Sequence, residues 1–304
     1  MSDSTALQSL HRIELSILDD LDLSELYQES KAPNGVTIFI PNWNHRPYLP
    51  RSVGSALCAV GHLKEAGFSG EVLVIDDASR DGSQKLLRSI QMLYGEPRLK
   101  TLFLKRNLGL PRLRNLAMKA SQFRYVCMMD ADNELVSDNL PLFLHSIVET
   151  GAALVHGNLI DKLGEEVWRL RSSRVATMQL TQGNYVDAFA LVDAWKLLRV
   201  GGYTSNPRVY AHEDWEMVLH LIAEEEAIVH VPAVMGYYYQ NPGSMIQETG
   251  QKTGQRTHPR SQNFTSDEVR TLMQRMFAQT GTREWDPLQV GRMYHPAVGF
   301  IDQR

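Results

Sequence analysis

Three short acidic segments hold the residues best able to do chemistry. In Met128-Met129-Asp130-Ala131-Asp132 two carboxylates stand two positions apart at the end of an apolar run. That spacing lets one of them hold a hard divalent cation while the other meets a hydroxyl, because Mg²⁺ and Mn²⁺ take oxygen ligands and commonly bridge a carboxylate to substrate phosphates. A second Asp-x-Asp, Asp20-Leu21-Asp22, follows no such run, so position and not the motif singles out Asp130 and Asp132. Asp76-Asp77-Ala78-Ser79-Arg80-Asp81-Gly82-Ser83 also closes an apolar run; its first carboxylates can accept hydrogen bonds from a base or ribose, and Asp81 and Ser83 read as a helix cap. The third segment is His212-Glu213-Asp214-Trp215, where a carboxylate can serve as a general base.

Each segment also has a plainer reading. Asp130 to Asp132 is equally a turn with solvated carboxylates. The 76–83 segment is equally a capping loop, and acids in the first turn of a helix are favoured by the macrodipole alone. Arg112 and Arg114, after Asn107-Leu108-Gly109, can meet phosphate or lie on the surface. Arg256, His258 and Arg260 make the 252–260 stretch a cationic loop, either closing over a diphosphate or simply solvated.

Positioning such groups requires a frame, and the hydrophobic pattern supplies one. Apolar runs at 36–40, 72–75, 99–104 and 125–129 alternate with helical patterns over 48–66, 83–94 and 111–121, which predicts right-handed βαβ units and a mainly parallel α/β sheet. Ligands of open α/β sheets bind outside the carboxyl ends of the strands, where Asp76, Asp77, Asp130 and Asp132 fall. Beyond about 150 the alternation weakens. Hairpin-like strands at 153–157 and 166–170, then 228–231 and 236–239, predict a mixed half over the site, and a helix is expected around 267–277. Leucines and isoleucines at helical spacing over 6–30 form an amphipathic arm that ends at Pro33-Asn34-Gly35. The boundaries are therefore 1–34, 35–135, 136–245 and 246–304.

Bulk properties narrow the function. A formal net charge of −4 gives no general attraction for nucleic acid or an anionic membrane. Cys58 and Cys127 lack metal-ligand spacing and suit structural thiols in a reducing compartment; with no signal-like start and no apolar run near the roughly 20 residues that span a bilayer, a cytoplasmic location is expected. A Gly-x-Gly-x-x-Gly after the first strand and a Walker-type Gly-Lys-Ser/Thr are both missing, against a dinucleotide oxidoreductase or P-loop enzyme.

In order along the chain, the segments resemble the family 2 glycosyltransferases of the GT-A fold. They are Val36-Thr37-Ile38-Phe39-Ile40-Pro41-Asn42-Trp43-Asn44, Val74-Ile75-Asp76-Asp77 through Ser83, Asn107-Leu108-Gly109 with Arg114-Asn115, Asp130-Ala131-Asp132, Val200-Gly201-Gly202-Tyr203 and Glu213-Asp214. The resemblance implies a nucleotide-sugar-binding half over 35–135, an acceptor-side half over 136–245, and a loop and helical extension over 246–304. It implies transfer of a sugar from a nucleotide diphosphate donor, with UDP as the expected nucleotide, to a hydroxyl acceptor (glycan, lipid or small molecule) with inversion and with Mn²⁺ or Mg²⁺. By the same resemblance Pro41 and Trp43 line the nucleoside pocket, Asp77 reads the base, Asp130 contacts the ribose, Asp132 ligates the metal and Asp214 is the base beside Glu213. Arg114 falls on the donor side. Trp43 stands where the family has Tyr, and Pro111 and Leu113 replace small residues, which implies a reshaped donor pocket. The family's histidine near the end of the core is missing from Tyr239-Gln240-Asn241-Pro242-Gly243-Ser244, leaving His258 as the substitute. A sugar nucleotidyltransferase, or a catalytically degenerate binder of nucleotide sugars or of a protein partner, is the competing reading.

Overall fold

The computed structural model describes residues 32–95, 98–163, 166–171, 184, 186–205, 212–240, 290–297 and 299–301. Most of the arm, the 252–260 loop with His258, and the helix expected at 267–277 lie outside the described residues.

The first half is built as the alternation predicts. Strand β1 (Ala32–Asn42) leads to helix α1 (Leu49–Glu65), β2 (Ser69–Asp76), α2 (Ser83–Tyr94), β3 (Leu99–Phe103), α3 (Leu110–Ala120) and β4 (Phe123–Met128). The four strands are parallel in the order β3-β2-β1-β4. The runs of β1, β2 and β4 are buried on both faces, as parallel strands covered by helices must be, while the edge strand β3 fully buries only Leu99. Val36, Ile38 and Ile40 point into one core with Leu49, Val53, Ala56 and Leu63 of α1. Phe39 points into the opposite core with Leu113, Leu116 and Ala117 of α3. The α1 residues recur every three or four positions, so one face is apolar. Truncating Leu63 to Ala would leave a cavity worth about 2–5 kcal/mol.

The chain then turns through β5 (Glu134–Leu135) and α4 (Leu140–Thr150) into β6 (Leu154–Leu163), β7 (Glu166–Arg171), β8 (Leu191–Asp193), α5 (Ala194–Arg199), α6 (Glu213–Ala223) and β9 (Ile228–Tyr239). β8 runs antiparallel between β4 and β6, and so welds the mixed half to the parallel one. The two strands expected at 228–231 and 236–239 are one strand, parallel to β6. Pro232 does not break it because the register slips there: His156 pairs with His230 but Asn158 with Val234, a bulge that removes the need for a ladder N–H at Pro232. At the carboxyl end, where a helical extension is expected, β10 (Val290–His295) adds parallel to β9 and β11 (Gly299–Ile301) pairs back on it. Among the described residues no helix is long and apolar enough to cross a membrane.

Candidate active site

The carboxyl ends of β1, β2 and β4 converge where the strand order switches direction, the place an open α/β sheet offers to ligands. Two backbone features set the rim. Asn44 and Ala78 both have positive φ, 58° and 60°, a conformation that costs residues with a Cβ and survives only where neighbours enforce it. The enforcement is a network around Asp76. Its Oδ2 accepts from Asn42 Nδ2 at 2.6 Å, and its Oδ1 accepts from Ser79 N at 3.0 Å and Gln84 Nε2 at 2.8 Å. Ser79 Oγ in turn accepts from Asn44 N at 2.9 Å, and Asn44 Oδ1 accepts from Arg80 N at 2.8 Å. Asp76 is therefore consumed inside the protein and is not available to a base or ribose, contrary to one sequence expectation. Asp81 does take the capping role: its Oδ1 accepts from Ser83 N at 3.0 Å and Ser83 Oγ at 2.5 Å. Burial opposes its charge, but these bonds and one from Arg46 N hold its pKa below the usual carboxylate value.

Asp77 is buried, and its two oxygens accept from Leu108 N at 2.7 Å and Gly109 N at 2.9 Å. The carboxylate expected to read the base thus also ties the Asn107-Leu108-Gly109 loop to the end of β2. Gly109 has φ 87° and precedes α3, whose first turn carries Pro111. Proline at a helix start lacks only an N–H that would be unpaired there anyway. Leu113 is core. These two departures from the family pattern build the start of a helix and its packing. Pro41 is buried at the end of β1, while Trp43 is 53% exposed beside it.

Asp130 and Asp132 occupy a turn, with Asn133 N donating to Asp130 O at 3.1 Å, so the plain reading of this segment as a turn is also true. The turn is held from two sides. Arg51 of α1 donates to the Asp132 carbonyl at 2.5 Å while its guanidinium lies 3.4 Å from the Tyr239 ring centre, and Tyr239 N donates to Asn133 Oδ1 at 3.1 Å.

Arg112 is exposed, whereas Arg114 is buried on the face of α3 that looks at α6. Its Nη1 donates to Glu213 Oε1 at 2.9 Å, its Nη2 lies 3.6 Å from Asp130 Oδ1, and its guanidinium lies 5.2 Å from the Tyr203 ring centre. Burial disfavours its charge, but Glu213 and Asp130 more than compensate and raise its pKa. The expected phosphate-facing arginine is thus a buried bridge between carboxylates 83 positions apart. Its neighbour Asn115 exchanges two hydrogen bonds of 2.7 Å with the Tyr203 backbone. Gly202, at φ 69°, is needed there because a Cβ would sit 2.5 Å from Asn115 Oδ1. Two of the motifs read separately in the sequence are one structural joint.

Glu213 and Asp214 open α6. Asp214 Oδ1 accepts from Trp215 N and Oδ2 from Asn184 Nδ2, each at 2.8 Å. Burial first, then the adjacent Glu213 and more distant Asp187, push Asp214 up to about 7 against the pull of Arg114. Burial likewise raises Asp130 to about 6, with Asp132, Asp187 and Glu213 adding to it and Arg114 opposing. Asp187 itself accepts from Arg171 Nη1 at 2.9 Å. Asn184, Asp187 and the cation-stacked Tyr238, 4.4 Å from Arg171, were missed in the sequence; all lie in segments without a motif.

A divalent cation fits this donor set. The carboxylates gathered here offer oxygen ligands, and Asp132, Asp187 and Glu213 all push the Asp130 carboxyl up, so positive charge is wanted. Among the described residues no three His, Cys, Asp or Glu side chains converge on one point. The protein would supply Asp132, with diphosphate and water completing the shell.

With that geometry in place, comparison with known proteins decides the family. Residues 37–204, more than half the chain, match the model of glycosyl transferase family 2. The chain belongs to this family. Among curated relatives, TuaG of Bacillus subtilis, named for teichuronic acid biosynthesis, is 28% identical over 39% of this chain and 44% of its own. ExoO of Rhizobium meliloti, a succinoglycan biosynthesis protein, is 29% identical over 42% and 34%. The Escherichia coli enzyme WfgD, a UDP-Glc:alpha-D-GlcNAc-diphosphoundecaprenol beta-1,3-glucosyltransferase, is 25% identical over 40% and 45%. The chain spans less than half the length of each. The S. aureus TarS fragment 1–349 solved with UDP-GlcNAc superposes with a TM-score of 0.60 at 16% identity, over 81% of this chain and 66% of that one. A Pyrobaculum calidifontis mannosyltransferase solved with GDP-Man and Mn²⁺ gives 0.53 at 14% identity, over 90% and 79%. These likenesses establish the GT-A fold for a family 2 glycosyltransferase.

Proposed function

We propose that this glycosyltransferase moves a sugar from a UDP-linked donor to an acceptor hydroxyl with inversion at the anomeric carbon. One observation carries the reading: Arg114 draws Asp130, from the donor-side turn, and Glu213, beside Asp214, into a single cluster although they are far apart in sequence. That juxtaposition suits a single displacement in which donor and acceptor are handled from opposite sides.

In this reading the exposed Trp43 ring stacks on the base above Pro41, Asp77 meets the base from the β2 end, and Asp130 takes the ribose. Asp132 would hold Mn²⁺ or Mg²⁺, which supplies charge neutralisation for the departing diphosphate. Asp214 takes the proton from the acceptor hydroxyl as its oxygen bonds to the anomeric carbon and the carbon–oxygen bond to the diphosphate breaks. A carboxylate raised to about 7 is well matched to that role, since a base near the working pH is both deprotonated and strong enough to accept. Arg114, with its donors aimed at Glu213 and Asp130, holds the cluster together and is not proposed as a diphosphate ligand. The UDP preference is supported by the UDP-sugar complex of one structural neighbour and the UDP-Glc donor in one relative's name. Two thiols, Cys58 exposed and Cys127 buried, neither in a disulfide, favour a reducing, cytoplasmic setting.

The test is product analysis. Incubation with UDP-sugars, Mn²⁺ and candidate hydroxyl acceptors should release UDP, and proton NMR should show the opposite anomer in the product. Asp214→Asn should lower kcat by on the order of 10³-fold with donor affinity kept. Pyrophosphate release, or normal turnover by Asp214→Asn, would sink the assignment.

A further inference from the structure

Among the described residues, Asp214 accepts from two donors of different kinds. One, Trp215 N, belongs to the first turn of α6 and comes with the helix. The other, Asn184 Nδ2, reaches across 30 positions from the segment that precedes β8. The orientation of that amide is not arbitrary. Its Oδ1 already accepts from Val186 N at 3.2 Å, so its NH₂ group is the part left to face Asp214 Oδ2. Val186 is buried in the same core as Phe39 and Leu113, which anchors the far side of this short link. Asn184 itself is exposed, so nothing in the core depends on its volume.

We infer that Asn184 is a positioning residue for the acceptor-side base, presenting its amide to Asp214 Oδ2 and so aiming the carboxylate at the incoming hydroxyl. The inference rests on the assignment of Asp214 as base. With Oδ1 tied to the helix and Oδ2 tied to Asn184, the carboxylate plane is set, and each oxygen keeps a lone pair for the acceptor proton. The amide also favours the charged form of the base. The other groups acting on Asp214 are Glu213 and the Trp215 N–H on α6, Arg114 on α3 and Asp187 before β8, with Tyr203 near Arg114. Of the donors to the carboxylate among the described residues, Asn184 is the one that can be changed without touching the helix backbone.

Asn184→Asp separates the roles cleanly. It keeps an oxygen for Val186 N but replaces the donor facing Asp214 with a second carboxylate oxygen. The expected result, against wild type, is an unchanged melting temperature and donor KM, a kcat lower by on the order of 10-fold at neutral pH, and an acid limb of the pH–rate profile moved up by about one unit. Asn184→Ala should show the same pattern more weakly in pH. Wild-type kcat and pH profile in both variants, with Asp214→Asn inactive, would overturn the positioning role while leaving the base intact. A loss of donor affinity and melting temperature with an unmoved pH profile would overturn it too, as a purely structural effect. Full transfer by Asp214→Asn would instead remove the base assignment on which the inference stands.

Discussion

Two groups of carboxylates share one edge of the sheet, and the fold treats them in opposite ways. Around the end of β2, Asp76, Asp77 and Asp81 accept from donors within the protein: Asn42, Ser79, Gln84, two loop amides and Ser83. Asp130, Asp214 and Glu216 are raised to about 6, 7 and 7 by burial and by the neighbouring carboxylates, Glu213 acting on all three, with Arg114 as the main counter-charge for the first two. Glu216 is buried, and among the described residues one of its carboxylate oxygens has no hydrogen-bond partner. The first group shapes the loop, with Asp77 keeping lone pairs for the base proposed to meet it, and the second carries a charge strain that a bound cation would relieve. Motif lists that count Asp-Asp, Asp-x-Asp and Glu-Asp as equals miss this division.

The contrast can be broken most severely at its counter-charge. Arg114→Met should destabilise the protein by about 3–5 kcal/mol in denaturant titration, because Glu213 is left buried without a partner. Adding Glu213→Gln should recover part of that loss, which would show that unpaired charge, and not lost packing, is the cause. On the satisfied side, Asp76→Asn turns an acceptor into a partial donor facing Asn42 and Ser79. It should cost about 1–3 kcal/mol and weaken donor binding through the loop, while kcat at saturating donor is preserved. A drop in kcat as large as that of Asp214→Asn would erase the distinction between the two groups.

The smallest effect is in pH, and its sign differs between the groups. Asp214, Asp130 and Glu216 have folded pKa values above their unfolded ones, so the folded state binds more protons between about 4 and 7. Stability from these groups is therefore greatest below the unfolded values and falls as pH rises through the folded ones. Asp81 is lowered, so its contribution is present above its unfolded value of 3.8 and lost as pH falls below it. Melting curves from pH 4 to 8 should fall gently for the wild type, and Asp214→Asn should flatten the slope.

The sequence disclosed the parallel half because its strands are short apolar runs, β-branched in β1 and β2, each ending in a polar turn, and because α1 and α3 carry an apolar stripe at helical spacing. It disclosed less of the mixed half. β8 is three residues long, too short for any periodicity, and β9 conceals a bulge at Pro232 that only its pairing with β6 explains. The acidic motifs were legible as candidates, but their division was not. Whether Asp76 binds a ligand or a loop depends on Asn42 and Ser79, and whether Arg114 meets phosphate or Glu213 depends on a helix 99 positions away. Asn184 and Asp187 carry no pattern at all; only the return of the chain before β8 brings them to Asp214.

The most direct test of the donor site is calorimetric titration with UDP, GDP, CDP and dTDP, each with and without Mn²⁺, on the wild type and on Asp132→Ala. Tight binding of UDP that needs Mn²⁺ and disappears in Asp132→Ala is expected, with the folded structure of the variant intact. Equal binding by both proteins, or metal-independent binding, would contradict the role given to Asp132, and no binding of any nucleotide by the folded wild type would contradict the donor reading itself.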